Sequence, residues 1–191
     1  MVKEHDGVFS KFPSYVAAKI EDYTDSEIGT GGAYDLCAAG RYWCWDAAYK
    51  AFIKDGATLF KQLNQVAEQA KIDNYLMGER YDMNYVYYID DKNWHGAALY
   101  YEYPNVFLFV LITQYLGVTF GFDCDVIIKP LIKGGGTVKL PSYGIEYTVK
   151  GNSFTLHNLK DTAVTAELDL NGIGIDFAGR ITVDGNGEMT V

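Results

Sequence analysis

Up to about Gly121, apolar residues recur at spacings of three, four and seven; beyond it they alternate with polar ones. The first pattern is that of helices with one face buried, the second that of half-buried strands. The stretch AYDLCAAGRYWCWDAAYKAFI, Ala33 to Ile53, predicts one helix with Leu36, Cys37, Trp43, Cys44, Ala47, Ala48 and Phe52 on a wide apolar face. Asp55-Gly56 breaks it. A second helix over Ala57 to Ile72 puts Phe60, Leu63, Val66, Ala67 and Ala70 on one stripe and turns Lys61, Asn64, Gln65, Glu68 and Lys71 to water. So short a connection predicts an antiparallel helical hairpin. A third helix, Pro104 to Leu116, carries proline in its first turn and has Gly117 just past its end. Its run VFLFVLI shows no polar face before Thr113 and predicts burial nearly all round, which needs more protein than one hairpin offers.

The second half is punctuated by turns. FDCDVIIKP, TVKLP, IEYTVK, SFTLHNL, VTAELDL, IGIDFAG and ITVDGNGEMTV each have strand length and partial alternation. Gly134-Gly135-Gly136, Lys150-Gly151-Asn152 and Asp184-Gly185-Asn186-Gly187 separate them. Strands with few helices between them predict an antiparallel sheet or small sandwich. The fold class is therefore α+β, with a helical region over residues 1–120 and a small all-β domain over residues 121–191.

Between the second and third helices lies MGERYDMNYVYYIDDKNWHGAALYYEYPN, Met77 to Asn105, rich in tyrosine and carboxylates and clean in neither period. A sugar presents an apolar C–H face and a rim of hydroxyls. Aromatic rings, carboxylates and tyrosine hydroxyls match both. Cleaving a glycosidic bond further needs two carboxyl groups about 5–9.5 Å apart. Glu79, Asp82 and Glu102 are the candidate carboxylates here, and Trp94, His95, Tyr88 and Arg80 the candidate lining. The competing reading is packing: Tyr85, Tyr87, Tyr100 and Tyr103 covering the helices with their hydroxyls in water. Asp90-Asp91-Lys92-Asn93 reads as a solvated turn, and His157 as a strand residue.

A second candidate cluster is GTGGAYDLCAAGRYWCWD, Gly29 to Asp46. Its glycines lack the Gly-Lys-Ser/Thr ending of a phosphate loop and follow no β-branched strand, so no nucleotide site is expected. Trp43 lies on the buried stripe, which leaves Trp45 as the ligand candidate of the two.

Charge and length narrow the classes. The 191 residues carry a net charge of −9 with 49% hydrophobic residues, enough for a core and wrong for nucleic acid or an anionic membrane. No apolar run reaches signal-peptide or membrane-span length, so the chain as given is expected to be cytoplasmic. Three cysteines, Cys37, Cys44 and Cys124, make no disulfide framework. Seven residues apart on a helix, Cys37 and Cys44 would stand about 10 Å apart, too far to bridge. Histidines 5, 95 and 157 show no metal-ligand spacing, and no cofactor is implied.

The Gly-Gly start of an alanine- and aromatic-rich helix, the second amphipathic helix, the aromatic loop and YYEYPNVFLFVLITQYLGV resemble the last hairpins of (α/α)6-barrel, six-hairpin glycoside hydrolases. GFDCDVIIKPLIKGGGTVKLPSYGIEYTVKGNSFTLHN is similar to the short β-domain that trails such barrels, with Ile127-Ile128-Lys129-Pro130 opening the sheet. The resemblance spans about Gly29 to Asn158 and carries no catalytic signature. It implies a partial α/α toroid followed by its β-domain, the C-terminal part of a carbohydrate-active enzyme that is catalytically incomplete alone. An oligo- or polysaccharide would then be the ligand, and the remainder of a longer chain, or a homo-oligomer, the partner. The rival expectations are a non-catalytic carbohydrate- or protein-binding module and a structural, oligomer-forming protein.

Overall fold

A computed structural model describes residues 38–75, 77, 80–81 and 102–191. They group into two compact units. One holds the described residues up to Tyr49 and those from Phe60 to Val110; the other holds Lys50–Leu59 and Leu111–Val191.

In the first unit, strand β1 (Ala38–Ala39) pairs antiparallel with β2 (Arg80–Tyr81), Ala38 opposite Tyr81 and Ala39 opposite Arg80. Helix α1 (Gly40–Phe52) follows β1 directly, α2 is Gly56–Ile72, and α3 is Glu102–Phe109. The first helix thus starts at Gly40 rather than Ala33. Ala38 and Ala39 are strong helix formers, but their backbone pairs with Arg80–Tyr81, and such tertiary pairing outweighs a weak local preference. Leu36 and Cys37 lie outside the described residues.

Trp43 and Ala47 of α1 are fully buried, as are Tyr103 and Val110, and Leu63, Val66 and Met77 are buried beside them. Trp43 stacks on Tyr103 with ring centroids 6.5 Å apart and tilts against Phe107 at 6.4 Å. The apolar faces are narrower than their periodicity predicts: Ala48, Phe52 and Phe60 are exposed, whereas Gln62 and Gln69 are buried. A buried glutamine is tolerated where its amide is hydrogen-bonded. Gln69 Nε2 donates to both carboxylate oxygens of Asp73 at 3.3 Å.

The third helix departs further from expectation. Its α-helical part passes into a π-helical segment, Val110–Tyr115, closed by a bond from Leu116 N–H to Leu111 C=O at 2.8 Å. Leu108 and Phe109 stay exposed, so the all-round burial predicted from VFLFVLI is not met. Trp43 covers one side of α3, and the opposite side keeps its apolar residues in solvent.

In the second unit, Asp55 caps the start of α2. Its carboxylate accepts from Thr58 N–H at 3.0 Å and from the Thr58 hydroxyl at 2.6 Å, and these bonds hold it ionised below the ordinary carboxylate range. Two four-stranded sheets follow. One has the order β3 (Val118–Phe120), β4 (Val126–Ile128), β8 (Val164–Asp169), β9 (Ala178–Val183). The other has the order β10 (Glu188–Thr190), β7 (Ser153–Asn158), β6 (Ile145–Lys150), β5 (Gly136–Leu140).

Buried and half-buried residues alternate along β6, β7 and β8, and their inward residues share one core with Val118, Val126, Ile128 and Val183. Residues of both sheets meet there, which makes the unit sandwich-like. Burying a Phe154 or Leu156 completely stabilises the unit by about 1.5–3 kcal/mol each.

Three details differ from the expected antiparallel arrangement. β4 and β8 run parallel, because the chain crosses to the other sheet and back between them. IGIDFAG, residues 173–179, begins on the last residue of a 3-10 turn (Asn171–Ile173), runs as turn and coil to Phe177, and joins β9 only at Ala178. Val118–Phe120, read as the end of the helical half, is a strand. Gly117 before it has φ 72°, the left-handed conformation expected just past a helix.

Candidate functional site

Gly40 follows β1 directly and starts α1. A Cβ added there would lie 3.1 Å from Glu102 Cγ and 3.3 Å from the Tyr103 nitrogen. The start of α1 therefore sits directly against the start of α3, where Glu102 occupies the first turn and suits the positive end of the helix dipole. One residue earlier, Ala39 pairs with Arg80. Three segments far apart in sequence converge on this end of the first unit, and two of them bear residues singled out from the sequence.

Glu102 is half-buried. Arg80 is fixed in its backbone by β1. Glu79 and Asp82 flank the Arg80–Tyr81 strand in sequence and, with Tyr88, Trp94 and His95, lie outside the described residues. Trp45 lies two positions after the buried Trp43 and is 63% exposed, so of this pair it is the one that solvent reaches. Gly40 was the residue missed from sequence. Inside AAGRYW it reads as a tolerated glycine in a helix, and only the approach of Glu102 explains it.

Trp43 Nε1–H donates to Gln62 Oε1 at 3.1 Å, and Gln62 Nε2 donates to Asp46 Oδ2 at 2.8 Å. This chain locks α1 to α2 behind the converging end and keeps Trp43 in the core.

The same unit has an apolar groove of about 390 Å³ between α2 and α3, lined by Val66, Ala70, Met77, Pro104, Phe107 and Leu108. Lys71 and Tyr75 also line it, but the rest of its lining is apolar, which suits a hydroxyl-rich ligand poorly.

In the second unit, oxygen or sulfur atoms of Asp123, Cys124 and Glu167 all lie within 4.8 Å of one another. Arg180 pairs with Asp123 at 2.7 Å and Lys129 with Glu167 at 3.2 Å, so both carboxylates already face cations. Ion pairing accounts for this cluster. Burial raises the Cys44 thiol above its ordinary value, which makes it a poor nucleophile. Among the described residues, no helix is long and apolar enough to cross a membrane.

No protein-family model matches the chain, and neither the curated proteins nor the solved structures searched contain a match.

Proposed function

We propose that the chain is the C-terminal part of a glycoside hydrolase-like enzyme and that its first unit contributes one wall of a glycan site. The observation supporting this is the convergence of Gly40, Arg80 and Glu102 at the start of α1 and α3. The tyrosine- and carboxylate-rich stretch Met77 to Asn105 begins and ends beside that point. Glu102, Glu79 and Asp82 are the proposed carboxylates, one to protonate the leaving oxygen and one to serve as base or nucleophile. Trp45, Trp94, Tyr88, His95 and Arg80 would receive the sugar, and helices beyond those of this chain would complete the cavity.

The test uses the native gene product and a panel of soluble oligosaccharides, followed by release of reducing ends. Glu79→Gln, Asp82→Asn and Glu102→Gln are compared with the parent. Loss of an acid or base group lowers turnover by about 100-fold or more. At least one variant is expected to show that loss with its affinity for sugar retained. Parent-like turnover in all three variants, or no hydrolysis of any panel member by the parent, would sink the reading.

A further inference from the structure

The second unit contains a cleft with a different character from the apolar groove. It has a volume of about 310 Å³ and is lined by Phe52, Lys54, Lys129, Pro130, Asp169 and Gly172. That size is at the small end of ligand cavities, which run from about 300 to 1,000 Å³. It suits one or two sugar rings.

The polar groups in it are held from several sides. Lys54, in the turn two residues past α1, takes the left-handed conformation, φ 61°, and Asp55 N–H bonds back to Lys50 C=O at 2.8 Å. The Lys54 ammonium donates to Asp169 Oδ2 at 2.9 Å and Oδ1 at 3.1 Å. Asp169 Oδ1 also accepts from Asn171 N–H at 3.1 Å and Asn171 Nδ2 at 2.8 Å. Gly172 closes the floor, since a Cβ there would meet Leu131 Cδ2 at 2.4 Å and the Pro130 oxygen at 2.8 Å. The carboxylate and the ammonium are thus fixed before any ligand arrives.

Capacity is left over in both groups. An ammonium has three donors, of which at most two are used on Asp169, and Asp169 Oδ2 accepts from Lys54 alone among the described residues. Lys54 is 43% and Asp169 27% exposed, so a solute can reach them. Held that open, the pair adds little stability of its own. Phe52 stands 83% exposed on the same cleft, an apolar ring kept in water next to fixed polar groups.

A sugar hydroxyl donates and accepts at once, which a Lys–Asp pair can satisfy together, while the C–H face of a pyranose covers an aromatic ring. An anion would meet Asp169, and a cation would meet Lys54 and Lys129. We propose that this cleft is a subsite for one pyranose unit of a neutral oligosaccharide, seated on Phe52 and hydrogen-bonded by Lys54 and Asp169. It belongs to the other unit from the site proposed above and stands or falls separately from it.

The experiment is isothermal titration of the full chain with cellohexaose, maltohexaose, xylohexaose and mannohexaose, repeated with the variants Phe52→Ala and Asp169→Asn and with Glu102→Gln and Trp45→Phe as controls. Phe52 is exposed, so its removal leaves the core and the melting temperature unchanged. At least one hexaose is expected to bind, with affinity falling about tenfold in each variant. Four observations would overturn the proposal. They are no binding by any of the four sugars, binding indifferent to Phe52→Ala, loss only in Glu102→Gln or Trp45→Phe, and self-association in light scattering that Phe52→Ala abolishes. The third of these would leave the first-unit reading standing.

Discussion

The indole N–H of Trp43 donates to the side-chain oxygen of Gln62 at 3.1 Å, and both residues are buried. One bond joins a large core ring on α1 to a polar residue where α2 would otherwise be apolar. Gln62→Leu removes the acceptor and leaves the indole donor in the core. A buried unsatisfied donor costs about 1–3 kcal/mol. Urea denaturation is expected to show a loss of that size with an unchanged slope. A variant as stable as the parent would mean the bond contributes nothing net.

Asn158 plays a similar part in the second unit. Fully buried at the end of β7, its amide donates to the carbonyls of Thr162, Val183 and Asp184 at 2.7, 3.1 and 3.0 Å, and its oxygen accepts from Lys160 N–H at 2.9 Å. Asn158→Asp sets a carboxylate against three carbonyl oxygens. Breaking a buried network of this kind is worth about 3 kcal/mol or more. Thermal unfolding should report it, and the loss should shrink at low pH, where the new carboxyl can donate.

Gly117 tests backbone geometry alone. Its φ is 72°, and an added Cβ would sit 2.0 Å from the Lys129 carbonyl oxygen. The residue also accepts from Lys129 N–H at 2.8 Å, so the two backbones cannot part without losing that bond. Gly117→Ala is expected to destabilise by about 2 kcal/mol or more, since left-handed strain and a clash coincide. A calorimetric melting temperature equal to the parent's would contradict the close approach.

Acid stability follows from the carboxylates. The Thr58 hydroxyl and backbone N–H lower the Asp55 pKa in the folded chain. Burial alone would raise Asp169, but hydrogen bonds from Asn171 and Lys54 outweigh it and bring that pKa down as well. A folded pKa below the unfolded one makes the contribution full above the unfolded value, about 4, and lost as pH falls through the folded one. Stability should therefore decline below about pH 4. Asp55→Asn should flatten that decline, and a pH series of denaturation midpoints would show whether it does.

The strands were the most legible part of the chain. IEYTVK coincides with the observed strand Ile145–Lys150 at both ends, since alternating burial on a half-covered sheet writes itself directly into the sequence. The second helix was equally plain, because polar and apolar positions divide cleanly along it. Which side was buried was less so. Gln62 is inside and Phe60 outside, an inversion that depends on Trp43 being within reach to bond the glutamine. The start of the first helix is hidden from the sequence for a related reason: the partners of Ala38 and Ala39 lie at Arg80–Tyr81.

The candidate sites divide in the same way. Residue chemistry in Met77 to Asn105 suggested a sugar ligand, but spacing along the chain carries no information on the distance between Glu79, Asp82 and Glu102. Nothing in the sequence marks Lys54 and Asp169, because a pair 115 positions apart leaves no local pattern.

The change from helical to alternating periodicity near Gly121 and the segments that form strands are written in the sequence itself. Each depends on neighbours within a few residues. The parallel β4–β8 pair, the abutment of Gly40 on Glu102 and the Lys54–Asp169 cleft arise only once the chain has folded. Those depend on which distant backbones and charges are brought together, and short-range hydrophobic spacing does not encode that.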